Sequence, residues 1–261
     1  MAWQPAQYLQ YAGERLRPAV DLLARVPLER PKNVVDLGCG AGNVTRLLGK
    51  RWPEARILGV DSSPEMLDEA RAATANDSRY RFVAADLATW QPDAPVDLIY
   101  SNAALHWLPG HAALFARLAG MVVPGGVLAV QMPDNFRAPS HMTIADIARS
   151  ERWRTRLGSI VREPPVSAPA DYLSWLTPHM TGVDVWLTEY LQVLPPRGDG
   201  EHPVAAWTKG TWLVPIMAAL DEGERAEFLR EYMRRLAVAY PPRDDGSTLF
   251  PFRRLFIVAN R

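Results

Sequence analysis

Asn33-Val34-Val35-Asp36-Leu37-Gly38-Cys39-Gly40-Ala41-Gly42 is the segment on which the reading of the fold turns. Its first half is a short apolar run between Pro31 and the glycines, the pattern of a strand buried on both faces. The glycines permit positive φ and let backbone approach a ligand closely. Val44 to Trp52 then takes up helical spacing. Open α/β sheets bind ligands at such places, in the crevice at the C-terminal ends of their strands.

The same rhythm continues downstream. Arg56 to Val60 reads as a second strand ending at Asp61, and Ser62-Ser63-Pro64-Glu65 as a helix start with a serine cap and proline at the first helical position. Tyr80 to Ala84 makes a third strand ending near Asp86. Val96 to Tyr100 makes a fourth, followed by Ser101-Asn102 and a loop holding His106 and Trp107. His111 to Met121 is helical in pattern, Pro124-Gly125-Gly126 reads as a turn, and Val127 to Met132 as a fifth strand. Upstream, a helix is expected with Pro18 in its first turn and Val20, Leu22, Leu23 and Val26 as its apolar positions. Strand and helix alternate five times in about 100 residues, which predicts an α/β, Rossmann-like, mostly parallel sheet with helices on both faces.

Beyond Met132 the pattern changes. Residues 134–180 are helical with proline interruptions, Val183 to Leu194 alternates like a long strand, and residues 203–240 are helical again, most clearly from Glu224 to Tyr240. Arg254 to Ala259 closes as a final strand. The expectation is a single domain over 1–261, with a core at 30–132 and cap or lid elements at 1–29, 134–180 and 200–250.

Composition narrows the functional classes. Basic and acidic residues balance at 29 each and hydrophobic residues make up 48%. A binder of nucleic acid built on a broad basic field is disfavoured, and so is a disordered chain. Cys39 is the only cysteine, so neither an internal disulfide nor a thiolate metal cluster is available. His106, His111, His141, His179 and His202 show no close ligand spacing, and no metal site is expected. The N-terminus lacks a secretory pattern and no stretch approaches the roughly 20 apolar residues of a membrane span, which points to a soluble, cytoplasmic protein without a membrane partner. The basic residues are 26 arginines and three lysines; the arginine fork suits carboxylate recognition.

The glycine loop spells G-x-G-x-G, whereas a dinucleotide loop spells G-x-G-x-x-G. Asp36 ahead of it would repel a pyrophosphate and favour a cationic, amine-bearing ligand. A sulfonium with an amino-acid tail fits that pattern. Asp61 suits the two hydroxyls of an adenosine ribose. Asp86 is placed to accept from an adenine amino group, with the Leu87 N–H beside it.

Asp36-x-Gly38-x-Gly40-x-Gly42, Asp61, Asp86 and Pro124-Gly125-Gly126 resemble the class I S-adenosylmethionine-dependent methyltransferases over residues 30–132 and the last two strands. More narrowly, the chain is similar to the trans-aconitate methyltransferase family. That likeness rests on Trp3-x-Pro5-x-x-Tyr8-Leu9, Glu14-Arg15-x-Arg17-Pro18-Ala19-Val20, Leu23-Ala24-Arg25-Val26-Pro27, Leu105-His106-Trp107-Leu108-Pro109, Val127 to Asn135 and Arg254 to Ala259. His106 departs from the family pattern, where a glutamine is expected.

The resemblance implies seven strands with the last antiparallel, a helical cap, and S-adenosyl-L-methionine bound by Asp36, Gly38, Gly40, Gly42, Asp61, Ser62, Met66, Asp86, Leu87 and Asn102. It implies a small anionic tricarboxylate, trans-aconitate, converted to its monomethyl ester by in-line attack of a carboxylate on the sulfonium methyl. Trp3, Tyr8, Arg17, His106, Trp107, Arg137 and Arg254 are the expected substrate-binding residues, with Arg15 and Arg253 as further arginine candidates. A carboxylate is ionised at neutral pH, so no general base is expected, and His106 reads as polar lining. The alternatives are a methyltransferase of another small acid, a phenol or an amine, and a non-catalytic regulator that binds the same cofactor.

Overall fold

The computed structural model describes residues 12–161 and 163–261, with side chains from residue 16 onward except 162. The elements run α1 (Ala12–Arg25), β1 (Asn33–Leu37), α2 (Asn43–Arg51), β2 (Arg56–Asp61), α3 (Pro64–Ala73), β3 (Tyr80–Ala84), β4 (Val96–Asn102), α4 (His111–Gly120), β5 (Val122–Pro133), α5 (Pro139–Arg149), α6 (Arg154–Leu157), α7 (Pro169–Leu176), β6 (Gly182–Leu194), α8 (Pro203–Lys209), α9 (Leu213–Ala219), α10 (Glu222–Ala239) and β7 (Thr248–Asn260). A 3-10 turn, Leu105–Trp107, follows β4.

The strands form one seven-stranded sheet in the order β3-β2-β1-β4-β5-β7-β6. β1 pairs in parallel with both β2 and β4, β3 adds to β2, and β5 adds to β4, all parallel. β7 enters antiparallel to β5, with Gln131 opposite Phe256 and Pro133 opposite Arg254. The strand order reverses between β1 and β4, and such a switch point opens a crevice at the strands' C-terminal ends. β1 reads as an apolar run because both faces are covered: Val34 and Val35 are 1% exposed and Leu37 is fully buried. α3 begins as its sequence predicts, with the Ser63 hydroxyl accepting from the Met66 N–H at 3.3 Å and Pro64 in the first turn.

Three local expectations are corrected. Pro18 lies inside α1, which starts at Ala12. A proline there removes one helical hydrogen bond, and burial of Ala19, Leu22 and Val26 offsets the loss while Val20 faces solvent. Pro124-Gly125-Gly126 lies within β5, where the pairing with β4 slips between Val96/Val122 and Leu98/Val127 and Gly125 takes φ +80°. β7 begins at Thr248, well ahead of Arg254.

The chain divides into two compact units. One comprises Arg15–Pro133, Pro165–Thr188 and Arg254–Arg261 and holds β1 to β5. Within it His111 is clamped, its Nδ1 2.6 Å from the Tyr172 hydroxyl and its Nε2 3.1 Å from the Leu105 carbonyl. The other unit includes Asp134–Pro164 and Glu189–Arg253. Its helices close on an apolar cluster that includes Ile147, Leu157, Leu213, Phe228 and Leu236. α10 starts with a reciprocal cap in which the Glu224 N–H donates to Asp221 at 2.9 Å and the Asp221 N–H to Glu224 at 3.1 Å. Among the described residues, no helix is long and apolar enough to cross a membrane.

Candidate functional site

The glycine loop after β1 takes the conformation its composition allows, with Gly38, Gly40 and Gly42 at φ +82°, +53° and +75°. Two of these glycines do different work. A Cβ on Gly38 would lie 2.1 Å from the Ala104 Cβ, so this glycine lets the loop close against the segment after β4. Among the described residues a Cβ on Gly40 would meet nothing within 4 Å, which leaves space there that a ligand can use.

Asp61, at the end of β2, ties the loop down. Its Oδ2 accepts from the Gly40 N–H at 2.8 Å and its Oδ1 from the Ser63 N–H at 3.0 Å. Asp36 is 1% exposed and accepts from the Thr45 hydroxyl at 2.6 Å. Burial raises its carboxyl to about 7; the Thr45 bond opposes that rise and the Asp61 charge adds to it. A cationic ligand group nearby would restore its charge. Cys39 is buried, and burial with the Asp36 and Asp61 charges pushes its thiol far up, which disfavours the thiolate.

Asp86 follows β3 and is exposed; its carboxylate caps the turn by accepting from the Ala88 N–H at 2.8 Å. The Leu87 side chain reaches the space above Gly38, and its carbonyl accepts from Arg117 at 3.0 Å. Ser62 is exposed beside Asp61, whereas Met66 packs inward on α3 at 4% exposure. The loop, Asp61 and Leu87 are thus brought together at the ends of adjacent strands.

A second polar group lies where the C-terminal ends of β4 and β5 meet the middle of β7. Asn102 pairs in register with Gln131, and the fully buried Gln131 accepts at its Oε1 from the Arg254 guanidinium at 3.4 Å. Arg254 is 4% exposed and His106 8%. Burial, reinforced by the Arg254 charge, lowers His106 to about 3, so its ring is neutral at physiological pH. The Asn102 Oδ1 and the Gln131 Nε2 are buried without a hydrogen-bond partner among the described residues. Ala103, between β4 and the 3-10 turn, takes φ +54°, while its N–H donates to the Gln131 carbonyl at 2.9 Å. A non-glycine residue in the left-handed region stores strain, which accumulates at ligand sites.

The remaining expected residues are more dispersed. Trp107 is 51% exposed and lies tilted against His106 with ring centres 4.6 Å apart. Arg17 is exposed on α1. Arg137, in the other unit, lines a cavity of about 470 Å³ with Phe136, His141 and Trp212. Arg253, in the same unit, pairs with Asp134 at 3.0 Å. Trp3 and Tyr8 lie outside the described residues, as does the Arg15 side chain. Gln131 and Ala103 escaped the reading of the sequence. The signal for Gln131 was present, since it is the one amide in the apolar run Val127 to Met132.

The geometry fits an adenosyl ligand bearing a cationic tail. Among the described residues, open backbone lies at Gly40, carboxylates lie at Asp36 near the end of β1 and at Asp61 ending β2, and an acceptor without a partner ends β4. Comparisons with known proteins agree. A family model described as a methyltransferase domain matches residues 34–126. Trans-aconitate 2-methyltransferase of Streptomyces avermitilis is 48% identical over 100% of this chain and 97% of its own length. The protein of that name from Methylobacterium nodulans is 48% identical over 99% of this chain and 98% of its own. The Escherichia coli O139:H28 protein is 45% identical over 99% and 98% respectively. Among solved structures, the YcgJ protein of Bacillus subtilis superposes with a TM-score of 0.62 at 15% identity, covering 94% of this chain and 99% of that one. At this identity the likeness concerns the fold alone.

Proposed function

This chain belongs to the trans-aconitate 2-methyltransferase family of S-adenosylmethionine-dependent methyltransferases, and from that premise we propose that it methylates one carboxylate of trans-aconitate to give the monomethyl ester. When bound, the cofactor would supply the methyl group: a carboxylate oxygen would bond to the methyl carbon as the carbon–sulfur bond breaks, with S-adenosylhomocysteine as the leaving group.

The protein's own part is placement. Gly40 offers its backbone to the cofactor, Asp61 faces the ribose hydroxyls, Asp86 and Leu87 the adenine, and Asn102 the amino-acid tail. Asp36, buried near the loop, supplies negative charge for the cationic end once ionised. A tricarboxylate needs cationic partners, and the buried guanidinium of Arg254 is the observation that carries this part of the reading. A buried arginine on one sheet face with Gln131 matches a planar carboxylate. Arg17, in the same unit as Arg254, is the further candidate for the remaining carboxylates.

No proton has to be removed from an acid already ionised at neutral pH. His106, lowered to about 3, makes a poor base and serves as neutral polar lining. Orientation of the reacting oxygen can contribute roughly 7–11 kcal/mol, and exclusion of water from it adds to that.

The test is direct. Purified protein is incubated with S-adenosylmethionine and trans-aconitate, and mass spectrometry reads the addition of one methyl to the acid. A monomethyl ester formed at enzymatic rates supports the proposal. Cofactor binding without that product rejects trans-aconitate and sends the search to other small acids, phenols and amines.

A further inference from the structure

Gln131 has an unusual position. It is fully buried at the end of β5, with Asn102 in register on β4 and Arg254 diagonal to it on β7, all on one face of the sheet. Its Oε1 is engaged by the Arg254 guanidinium at 3.4 Å. That contact fixes the orientation of the amide, because the guanidinium can only donate and so must face the oxygen. The Nε2 therefore points away from Arg254, and it is buried with no acceptor among the described residues.

A buried donor without an acceptor is costly, and native proteins keep few of them. Beside it the Asn102 Oδ1 is an acceptor without a donor among the described residues. The two atoms are of opposite hydrogen-bonding sense on registered residues of neighbouring strands, yet they do not satisfy each other. This arrangement suits two ligand groups, one that donates and one that only accepts, meeting at the β4/β5 step.

Resting on the function proposed above, we infer that Gln131 is an acceptor-substrate residue: its Nε2 donates to a carboxylate that the Arg254 guanidinium also holds. Asn102 serves the donating ammonium of the cofactor on the other side of the step. Gln131 then has two tasks. Its oxygen sets the guanidinium in place, and its nitrogen adds a neutral donor that tells a carboxylate from a group that cannot accept.

Two variants of similar volume separate this role from a structural one. Gln131→Glu keeps the oxygen that faces Arg254 but replaces the donor with negative charge. Gln131→Met removes both the donor and the contact. If Gln131 only supports Arg254, Gln131→Glu should bind the acid better than Gln131→Met. If Nε2 donates to the substrate, the order reverses. The measurement is calorimetric titration of trans-aconitate into wild-type protein and both variants, each loaded with S-adenosylhomocysteine, together with wild-type turnover by mass spectrometry.

We expect affinity for the acid to fall by about tenfold or more in Gln131→Met and further in Gln131→Glu, with S-adenosylhomocysteine affinity held within about twofold. Acid affinity that is unchanged in Gln131→Met, that is higher in Gln131→Glu than in Gln131→Met, or that falls only along with cofactor affinity, overturns the inference while wild-type turnover leaves the proposed function standing. A wild-type protein that neither binds nor methylates the acid overturns the proposed function, and this inference with it.

Discussion

The Thr45 hydroxyl donates to the Asp36 carboxylate at 2.6 Å, and both residues are buried, 0% and 1% exposed. One hydroxyl does not replace the water a carboxylate loses on burial, so Asp36 keeps its proton up to about pH 7 in the fold, against an ordinary value of 3.8. Between those values the folded chain binds the extra proton. The stability Asp36 contributes is therefore full at low pH and lost as pH rises through 7. Asp36→Asn should raise Tm relative to wild type at about pH 8, and the gap should close as pH falls toward the ordinary aspartate range. A gap that does not vary with pH would mean that Asp36 is ionised in the fold throughout.

In the proposed function the same carboxylate should also set a pH limb for the cofactor. A cationic ligand favours ionised Asp36, so affinity for S-adenosylmethionine should decline as pH drops below about 7. Asp36→Asn should bind more weakly and without that pH dependence. His106→Asn should keep it, because burial and Arg254 already hold His106 neutral down to about 3. Calorimetric titrations across the pH range decide between the two residues; a limb that disappears in His106→Asn instead would give the titration to the histidine.

How much of this was legible beforehand depends on how local each signal was. The parallel strands declared themselves because Val34, Val35 and Leu37 are covered on both sides. The Ser63 cap and Pro64 marked the start of α3 within a few residues. Pro18 misled, since its usual place in a first turn was overridden by the packing of Ala19, Leu22 and Val26. Gln131 and Arg254 lie far apart in sequence and meet only through the antiparallel register of β5 and β7. The reading of single segments found Arg254 through its family likeness and passed over its partner. Ala103 gave no sign, because alanine does not advertise a positive φ.

Asp61 holds the Gly40 and Ser63 amides and, in the proposed function, the ribose. Asp61→Ala should weaken S-adenosylhomocysteine binding by about 1–3 kcal/mol through unpaired hydroxyls and amides. Asp61→Asn keeps acceptor capacity on a neutral side chain and should lose less. Unchanged calorimetric affinity in Asp61→Ala would remove the residue from the cofactor site.

The two glycines should separate stability from binding. Gly38→Ala places a Cβ 2.1 Å from that of Ala104 on a backbone at φ +82°, so it should cost about 1–3 kcal/mol in thermal or urea unfolding. Gly40→Ala also carries positive φ, +53°, but meets no neighbour among the described residues. Its unfolding should change less and its cofactor affinity more, because the added methyl occupies the open side of the loop. Equal effects of both variants on both measurements would show that the loop answers to strain alone.

Arg254 carries the clearest test of the substrate side. Arg254→Met removes a buried charge that Gln131 helps to place, and hydrogen bonds to charged groups contribute about 1.5–3 kcal/mol. The KM for trans-aconitate should rise by about ten- to a hundredfold, while cofactor affinity stays within about twofold. Arg254→Lys keeps the charge without the planar fork and should fall between wild type and Arg254→Met. If Arg254→Met weakens the acid and the cofactor alike, with a lowered Tm, the residue supports the β5–β7 pairing rather than the substrate. If KM for the acid does not move, the tricarboxylate is held elsewhere, and Arg17 becomes the first residue to change.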